Sequence, residues 1–351
     1  MGPAAELAAL APADREALAG FLAAFPGLEC RREFWLSRLR LWWQDNPAFP
    51  GSPAGWILRR GGAIKGFLGN LPSLFQLQGS PRTVYSITSW MVLPECREAS
   101  LSLLMEHVRA SEDTLLFDTT PTSEVAAILE SLGFRPLPWS GDRESLIVVD
   151  CKRALAAAGL PSWGAPVLAL LQDLRLRPLG RPGLLPCEET TEIGPDFDAL
   201  WERTRKLYAN TNLRTAQALR WQCLGDPDIE KKLFICRDQG RLAGFMVLKA
   251  RTRRGLKTWD CADFWEDPSA AGVLESLLAA VRSSARARGL DLLTFPHFSA
   301  SLGERLSRAG LFEHASGRRA LFLGAPKLLE GIRPENSYFA GLQGDYGTAV
   351  S

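Results

Sequence analysis

The sequence predicts an α/β (α+β) protein of two tandem domains, each a mixed, mostly antiparallel sheet flanked by helices. Three observations carry this. First, Trp56–Leu68 is answered by Phe234–Met246, with Gly62 matching Gly240 and Gly66 matching Gly244, a spacing of 240 − 62 = 178 residues. The same spacing takes Trp43 to Trp221, Leu115 to Leu293 and Phe117 to Phe295. A repeat this long is a duplicated domain, since solenoid units have far shorter periods. Second, within each copy the apolar pattern changes from a three-to-four spacing to runs and alternation, the change from helix to strand. Third, Pro161, Pro166, Pro178, Pro182 and Pro186 fall between the copies and mark a connector. The boundaries expected are 1–150 and 190–325 for the domains, 151–189 for the connector and 326–351 for a glycine-containing tail.

The elements follow in order. Ala13–Phe25 and Phe34–Trp43 have helical spacing, and Asn46-Pro47 closes the second. Gly55–Arg60, the Gly61-Gly62 turn and Ala63–Phe75 read as a hairpin, because paired glycines accept the left-handed angles of a tight turn. Gly79–Arg82 turns the chain into a strand at Thr83–Val92, which Pro94 breaks. A helix is expected over Glu98–Ala110, a buried strand at Thr114–Phe117, a helix at Ser123–Ser131 ending at Gly133, and a closing strand at Glu144–Val149. The connector carries one short helix, Val167–Leu174. The second copy has helices at Phe197–Tyr208 and Thr215–Cys223 and a hairpin over Leu233–Lys249. A strand at Leu256–Phe264, a helix at Ser269–Ala287 and a strand at Asp291–Phe295 come next. Leu302–Ala309 is the last helix and Arg319–Leu323 the closing strand.

Composition narrows the function. The 351 residues are 46% apolar and 23% charged, which is globular. A net charge of +2 gives no global field for recruiting nucleic acid or an anionic membrane. The seven cysteines are scattered and form no CxxC, so they read as free thiols in a reducing cytoplasm. Glu6, Asp14, Arg15 and Glu16 interrupt the Ala/Leu-rich start, which therefore lacks a secretory pattern, and no run reaches the ~18 apolar residues that span a bilayer. There is no GxSxG, no GxxxxGK[ST], no HExxH and no clustered Cys/His set, so no metal site is expected.

Two helices, three antiparallel strands, a helix, a strand, a helix and closing strands is an order that resembles the acyl-CoA N-acyltransferase (GNAT) fold. The first copy resembles that family again at Trp90–Leu104, where the family has a strand ending V-x-P and then Arg/Gln-x-x-Gly-x-Gly/Ala opening a helix. Small residues there let backbone N–H groups hold a pyrophosphate. Arg97 fits, while Ser100 and Ser102 stand where glycines are expected. The second copy has Glu266-Asp267-Pro268-Ser269-Ala270-Ala271-Gly272 instead, with two acids that repel phosphate. Leu132-Gly133-Phe134 and Gly310-Leu311-Phe312 also resemble the family. The tandem arrangement is similar to FemAB-type aminoacyl transferases and acyltransferase-like proteins of polysaccharide biosynthesis.

The resemblance implies transfer of an acyl group from acetyl-CoA or another acyl-CoA, or from a carrier-protein thioester, to an amine of a small-molecule acceptor. It places the thioester between Ser89–Val92 and Leu116–Thr119, with Val92, Arg97, Ser100 and Ser102 as the cofactor cradle. An ordinary capped helix start after Pro94 is the alternative. Glu95 and Asp118 are the carboxylates nearest that gap, as general bases, or equally as a loop acid and a helix cap. Tyr85 is a proton donor or a core aromatic. In the second copy, alternation sends Trp259, Asp263 and Trp265 to one face and Asp260 to the other. A buried Asp263 has its pKa raised toward a base's range, and His297 follows a strand end. Arg251, Arg253, Arg254, Arg282, Arg286 and Arg288 suit either RNA phosphates, as a tRNA-dependent transferase requires, or a solvated face. A non-catalytic binding or scaffold protein is the remaining alternative.

Overall fold

The computed structural model describes residues 4–49, 51–138, 142–317, 319–342 and 344. The first copy supplies β1 (Glu6–Ala9), α1 (Arg15–Ala23), α2 (Arg32–Leu39), β2 (Gly55–Arg60), β3 (Ala63–Leu77), β4 (Ser80–Val92), α3 (Ser100–Ala110), β5 (Leu115–Asp118), α4 (Ser123–Ser131) and β6 (Arg135–Pro136). After β7 (Arg143–Val148) come α5 (Cys151–Ala157), α6 (Ala165–Arg175), β8 (Cys187–Thr190), α7 (Pro195–Thr204), β9 (Asn210–Asn212), α8 (Ala216–Leu224), β10 (Lys231–Asp238), β11 (Arg241–Arg253) and β12 (Leu256–Glu266). The rest is α9 (Val273–Ala287), β13 (Leu292–Pro296), α10 (Ala300–Arg308), β14 (Phe312–Ala315), β15 (Leu321–Gly324), α11 (Pro326–Glu330) and β16 (Ser337–Tyr338).

The chain divides into two compact units. One holds the residues up to Pro136 with Ala320–Ile332 and Gly344, the other Leu137–Arg319 with Arg333–Leu342. In the first unit the strands run β1-β2-β3-β4-β5-β15-β6, and in the second β14-β7-β13-β12-β11-β10-β8. Along these two orders every pair is antiparallel except one central pair in each, β4–β5 and β12–β13. The expected closing strands form, but each in the sheet of the other copy: β7 lies between β13 and β14, and β15 between β5 and β6. Local pattern fixes that these segments are strands, and their partners are decided only by which sheet offers an apolar slot. Ile147 is fully buried in the second core, among Phe197, Phe245, Leu277 and Leu293, and Leu321 in the first, among Leu68, Leu103, Leu116 and Leu129.

Other expectations shift. The connector holds two helices, α5 and α6, and the tail contains α11 and β16, the latter paired in parallel with β9. Gly347 of the tail falls outside the described residues. The expected alternation along β12 fails because a bulge intervenes: Val247 faces Asp263 but Leu248 faces Cys261. The extra residue flips the phase of the strand. Asp263 and Trp265 thus share a face with Asp260, and Trp259 lies on the opposite one.

Candidate functional site

The second unit contains a gap beside a sheet strand. β12 pairs with β11 along most of its length, but with β13 only over Thr258–Asp260. It then continues to Glu266 with no strand on that side among the described residues. A cavity of 340 Å³ opens there, walled by Phe264, Trp265 and Glu266 at the end of β12, by Leu302 and Arg305 of α10, and by Tyr208 and Tyr338.

The wall is held from behind by an ion pair. Arg214 and Asp263 are almost fully buried, with side chains 1% and 2% exposed. Arg214 Nε donates to both Asp263 oxygens at 3.2 and 2.9 Å, and Nη2 donates to Oδ1 at 3.0 Å. Nη1 donates to Thr211 Oγ1 and to the Asn212 carbonyl. The guanidinium lies 4.1 Å from the centre of the Trp265 ring and 5.2 Å from that of Tyr338, two cation–π contacts made in the corner of a T-shaped ring pair. Trp265 Nε1 donates to Thr204 Oγ1, and the Tyr338 hydroxyl donates to the Phe264 carbonyl at 2.7 Å. Burial raises the Asp263 carboxyl above its ordinary range, and Arg214 opposes the rise. Burial likewise pushes the Tyr338 phenol well up, keeping it neutral.

At the mouth, Arg305 binds both oxygens of Glu266. Arg305 also lines a neighbouring cavity of 460 Å³ with Arg181, Arg308 and Gly272. Gly272 is the N-cap of α9 at φ +76°, a left-handed angle that glycine adopts without strain. The first N–H groups of this 15-residue helix have no intrahelical acceptor and carry the positive end of its dipole. The acids of the preceding turn are neutralised. Glu266 is held by Arg305, and Asp267 accepts from Arg203 and from the Ser269 N–H and hydroxyl. Their expected repulsion of phosphate is thus largely cancelled by partners distant in sequence.

Solved structures similar to the chain include several whose names give them as N-acyltransferases or probable ones. They include a GCN5-related N-acetyltransferase from Anabaena variabilis ATCC 29413, with TM-score 0.57 and 13% identity over 91% of this chain and 72% of that one. A probable N-acyltransferase from Enterococcus faecalis V583 has TM-score 0.58 and 11% identity over 92% and 72%. The N-myristoyltransferase of Saccharomyces cerevisiae, solved with bound myristoyl-CoA and inhibitors, has TM-score 0.56 and 11% identity over 100% and 88%. The fold is that of the GCN5-related N-acetyltransferases. No protein-family model matches the chain, and no curated protein matches it.

In the GNAT fold of the first unit the corresponding gap is differently furnished. β4 and β5 pair only at Tyr85–Leu116 and Ser86–Phe117, and Ser89 sits in a bulge at φ +50°. Gly344, at φ +90°, packs there so closely that a Cβ would stand 3.0 Å from Thr119 Cγ2 and 3.3 Å from Ser86 Oγ. Val92 ends β4 half-buried, and Arg97 is exposed. The turn before α3 is a 3₁₀ helix, Pro94–Ala99, in which the Cys96 N–H donates to Leu93 and the Ser100 N–H to Arg97. Ser102 donates its hydroxyl to the Ala99 carbonyl at 2.6 Å. Glu95 is exposed, and its own backbone and Lys65 lower its pKa. Asp118 is buried and accepts from the Thr120 N–H. The Tyr85 ring is tilted at 42° to that of His107, 6.4 Å away.

His297 is buried after β13, its Nε2 2.8 Å from Ser145 Oγ of β7, and burial lowers its pKa. Gly303 of α10 packs on the ring so tightly that a Cβ there would be 2.6 Å from Nδ1. The structure therefore brings Asp263 to the back of the cavity wall and uses His297 to seat α10, while Glu95 and Arg97 remain on the surface. Arg214, Tyr208, Tyr338 and Arg305 were not singled out in the sequence. Only the polar run Asn210-Thr211-Asn212 before Arg214, unusual for a buried segment, signals the first of them.

Proposed function

We propose that the protein transfers an acyl group from an acyl-CoA, or a related thioester, to an amine, and that the second unit holds the donor. The observation that carries this is the end of β12, which past its pairing with β13 meets only Tyr338 and Leu342 at the Phe264 and Ala262 carbonyls and opens into a cavity that adjoins, through Arg305, the N-terminus of α9. In this reading the thioester arm lies along Asp263–Glu266, and the pyrophosphate sits at Gly272 with Arg181 and Arg308 around it. The amine nitrogen attacks the thioester carbonyl, the C–S bond breaks, and the amine loses a proton while the thiolate gains one. Glu335, exposed at the mouth, is assigned to accept the amine proton, and the half-buried Tyr208 phenol to supply the thiolate. Asp263 acts as a positioning group, because its carboxylate is spent on Arg214.

A tRNA-borne donor finds less support. Arg251, Arg253, Arg282, Arg286 and Arg288 all hydrogen-bond to carboxylates of the chain itself, Asp260, Glu144, Asp173 and Glu189.

Thermal stabilisation by acetyl-CoA, longer acyl-CoAs and free CoA tests the reading. A ligand at a hundred times its Kd adds about 2.7 kcal/mol to the folded state. Arg305→Ala should abolish most of the shift, and Leu302→Trp, which fills the cavity, should abolish the response to the acyl chain. Loss in Arg97→Ala alone would move the donor to the first unit. No shift with any thioester would leave a non-catalytic binding protein.

A further inference from the structure

α6 is apolar on both sides: Ala165, Leu168 and Ala169 are half-buried on its inner side, and its outer side is apolar as well. Its outward arc carries Val167, Leu170, Leu171 and Leu174 at 59%, 61%, 51% and 42% exposure. Its inward side presents Gln172, whose amide bonds the N–H and carbonyl of Val148 on β7. A surface helix normally turns its apolar stripe to the core. The turn before it adds Trp163 at 82% exposure, and Leu160 beside it is 54% exposed. A contiguous apolar face of this kind marks an interaction surface.

The charge around it identifies the occupant. Residues 151–183 contain five basic side chains (Lys152, Arg153, Arg175, Arg177, Arg181) and one acid, Asp173, a net of 5 − 1 = +4 against +2 for the whole chain. Arg177 also lines a cavity of 580 Å³ at the C-terminal end of α6, where Arg282 and Arg286 are already paired with Asp173. A second copy of the chain docked on this face would set an excess of basic side chains against the same excess, an unfavourable pairing. An anionic bilayer offers the complement on both counts, since acyl chains take the leucines and headgroup phosphates the arginines. Tryptophan at the edge of an apolar face suits the interfacial region. No helix among the described residues is long and apolar enough to cross a membrane.

We propose that the α5–α6 hairpin is a membrane-surface anchor, lying in the headgroup layer of an anionic bilayer with Trp163 and the α6 leucines inserted. This stands independently of the acyltransferase reading. Flotation of the full chain with phosphatidylcholine vesicles, with and without about 30% phosphatidylserine, tests it. Binding should require the anionic lipid and weaken with salt. Leu170→Ser/Leu174→Ser, which changes no charge, and Lys152→Ala/Arg177→Ala should each lower the partition about tenfold or more, with melting temperatures that show the fold intact. Failure of the natural chain to float with anionic vesicles overturns the proposal, as does wild-type binding by the serine variant. Light scattering that finds a dimer split by Leu170→Ser/Leu174→Ser would assign the face to a second copy and overturn it equally.

Discussion

Asp263 shows how far a single side chain is readable from sequence. A carboxylate between tryptophans on an apolar strand is a reasonable candidate base, and burial does raise its pKa. Its partner, however, lies 49 positions earlier, in a segment with no pattern to announce it. A guanidinium that spends its donors on Asp263, Thr211 and Asn212 against two aromatic rings makes a structural anchor. Removing one member leaves the other buried and uncompensated. Asp263→Ala should therefore destabilise the protein by about 3–5 kcal/mol in urea unfolding. Replacing both, Arg214→Met with Asp263→Leu, should cost much less. Equal losses in the single and double variants would mean that packing volume, and not charge, sets the penalty. The arginines at the site were illegible for the same reason: each acts through a partner far away in sequence.

Individual elements were legible where their period was strong, and less so where a neighbour alters the count. The hairpins, α9 and the buried strands stand close to where the pattern puts them. The bulge in β12 moves Asp263 and Trp265 to the other face because one extra residue shifts everything past it by a half-period. α3 gives an example with a measurable consequence. Its His107 is fully buried, with Nε2 3.2 Å from Asn70 Oδ1 on β3 and its ring against Trp56. Burial lowers its pKa to about 3. The folded state thus binds fewer protons than the unfolded one wherever the pH lies between about 6.5 and that value. Stability from this contact is complete above pH 6.5 and is lost as pH falls, by about 1.4 kcal/mol per unit. His107→Gln keeps a donor for Asn70 and removes the titration. The stability of the natural protein relative to the variant should fall steadily from about pH 6.5 to pH 4, and a constant difference would exclude His107 as the source.

For the molecule as a whole, the repeat exposed the duplication but concealed the exchange of closing strands. Both copies contain a segment of the right length and pattern, so sequence alone favours the local partner. The slot is what differs: β15 fills the place between β5 and β6, with Leu321 fully buried and Phe322 stacked 6.2 Å from Phe117. Residues 1–150 alone would therefore leave both edges of that slot unpaired, and β7 without the β13 and β14 that cover it. Exposed strand edges and an open core favour association over folding. Expressed by itself, the 1–150 fragment should show no cooperative urea transition. A chain that joins residues 319–332 to residue 136 through a flexible linker, omitting β7, should recover one. Leu321→Ala in the full chain should cost about 2–5 kcal/mol, as for other buried leucines. A cooperative transition in the bare fragment, matching that of the extended chain, would show that β15 is dispensable and that the first copy closes its own sheet.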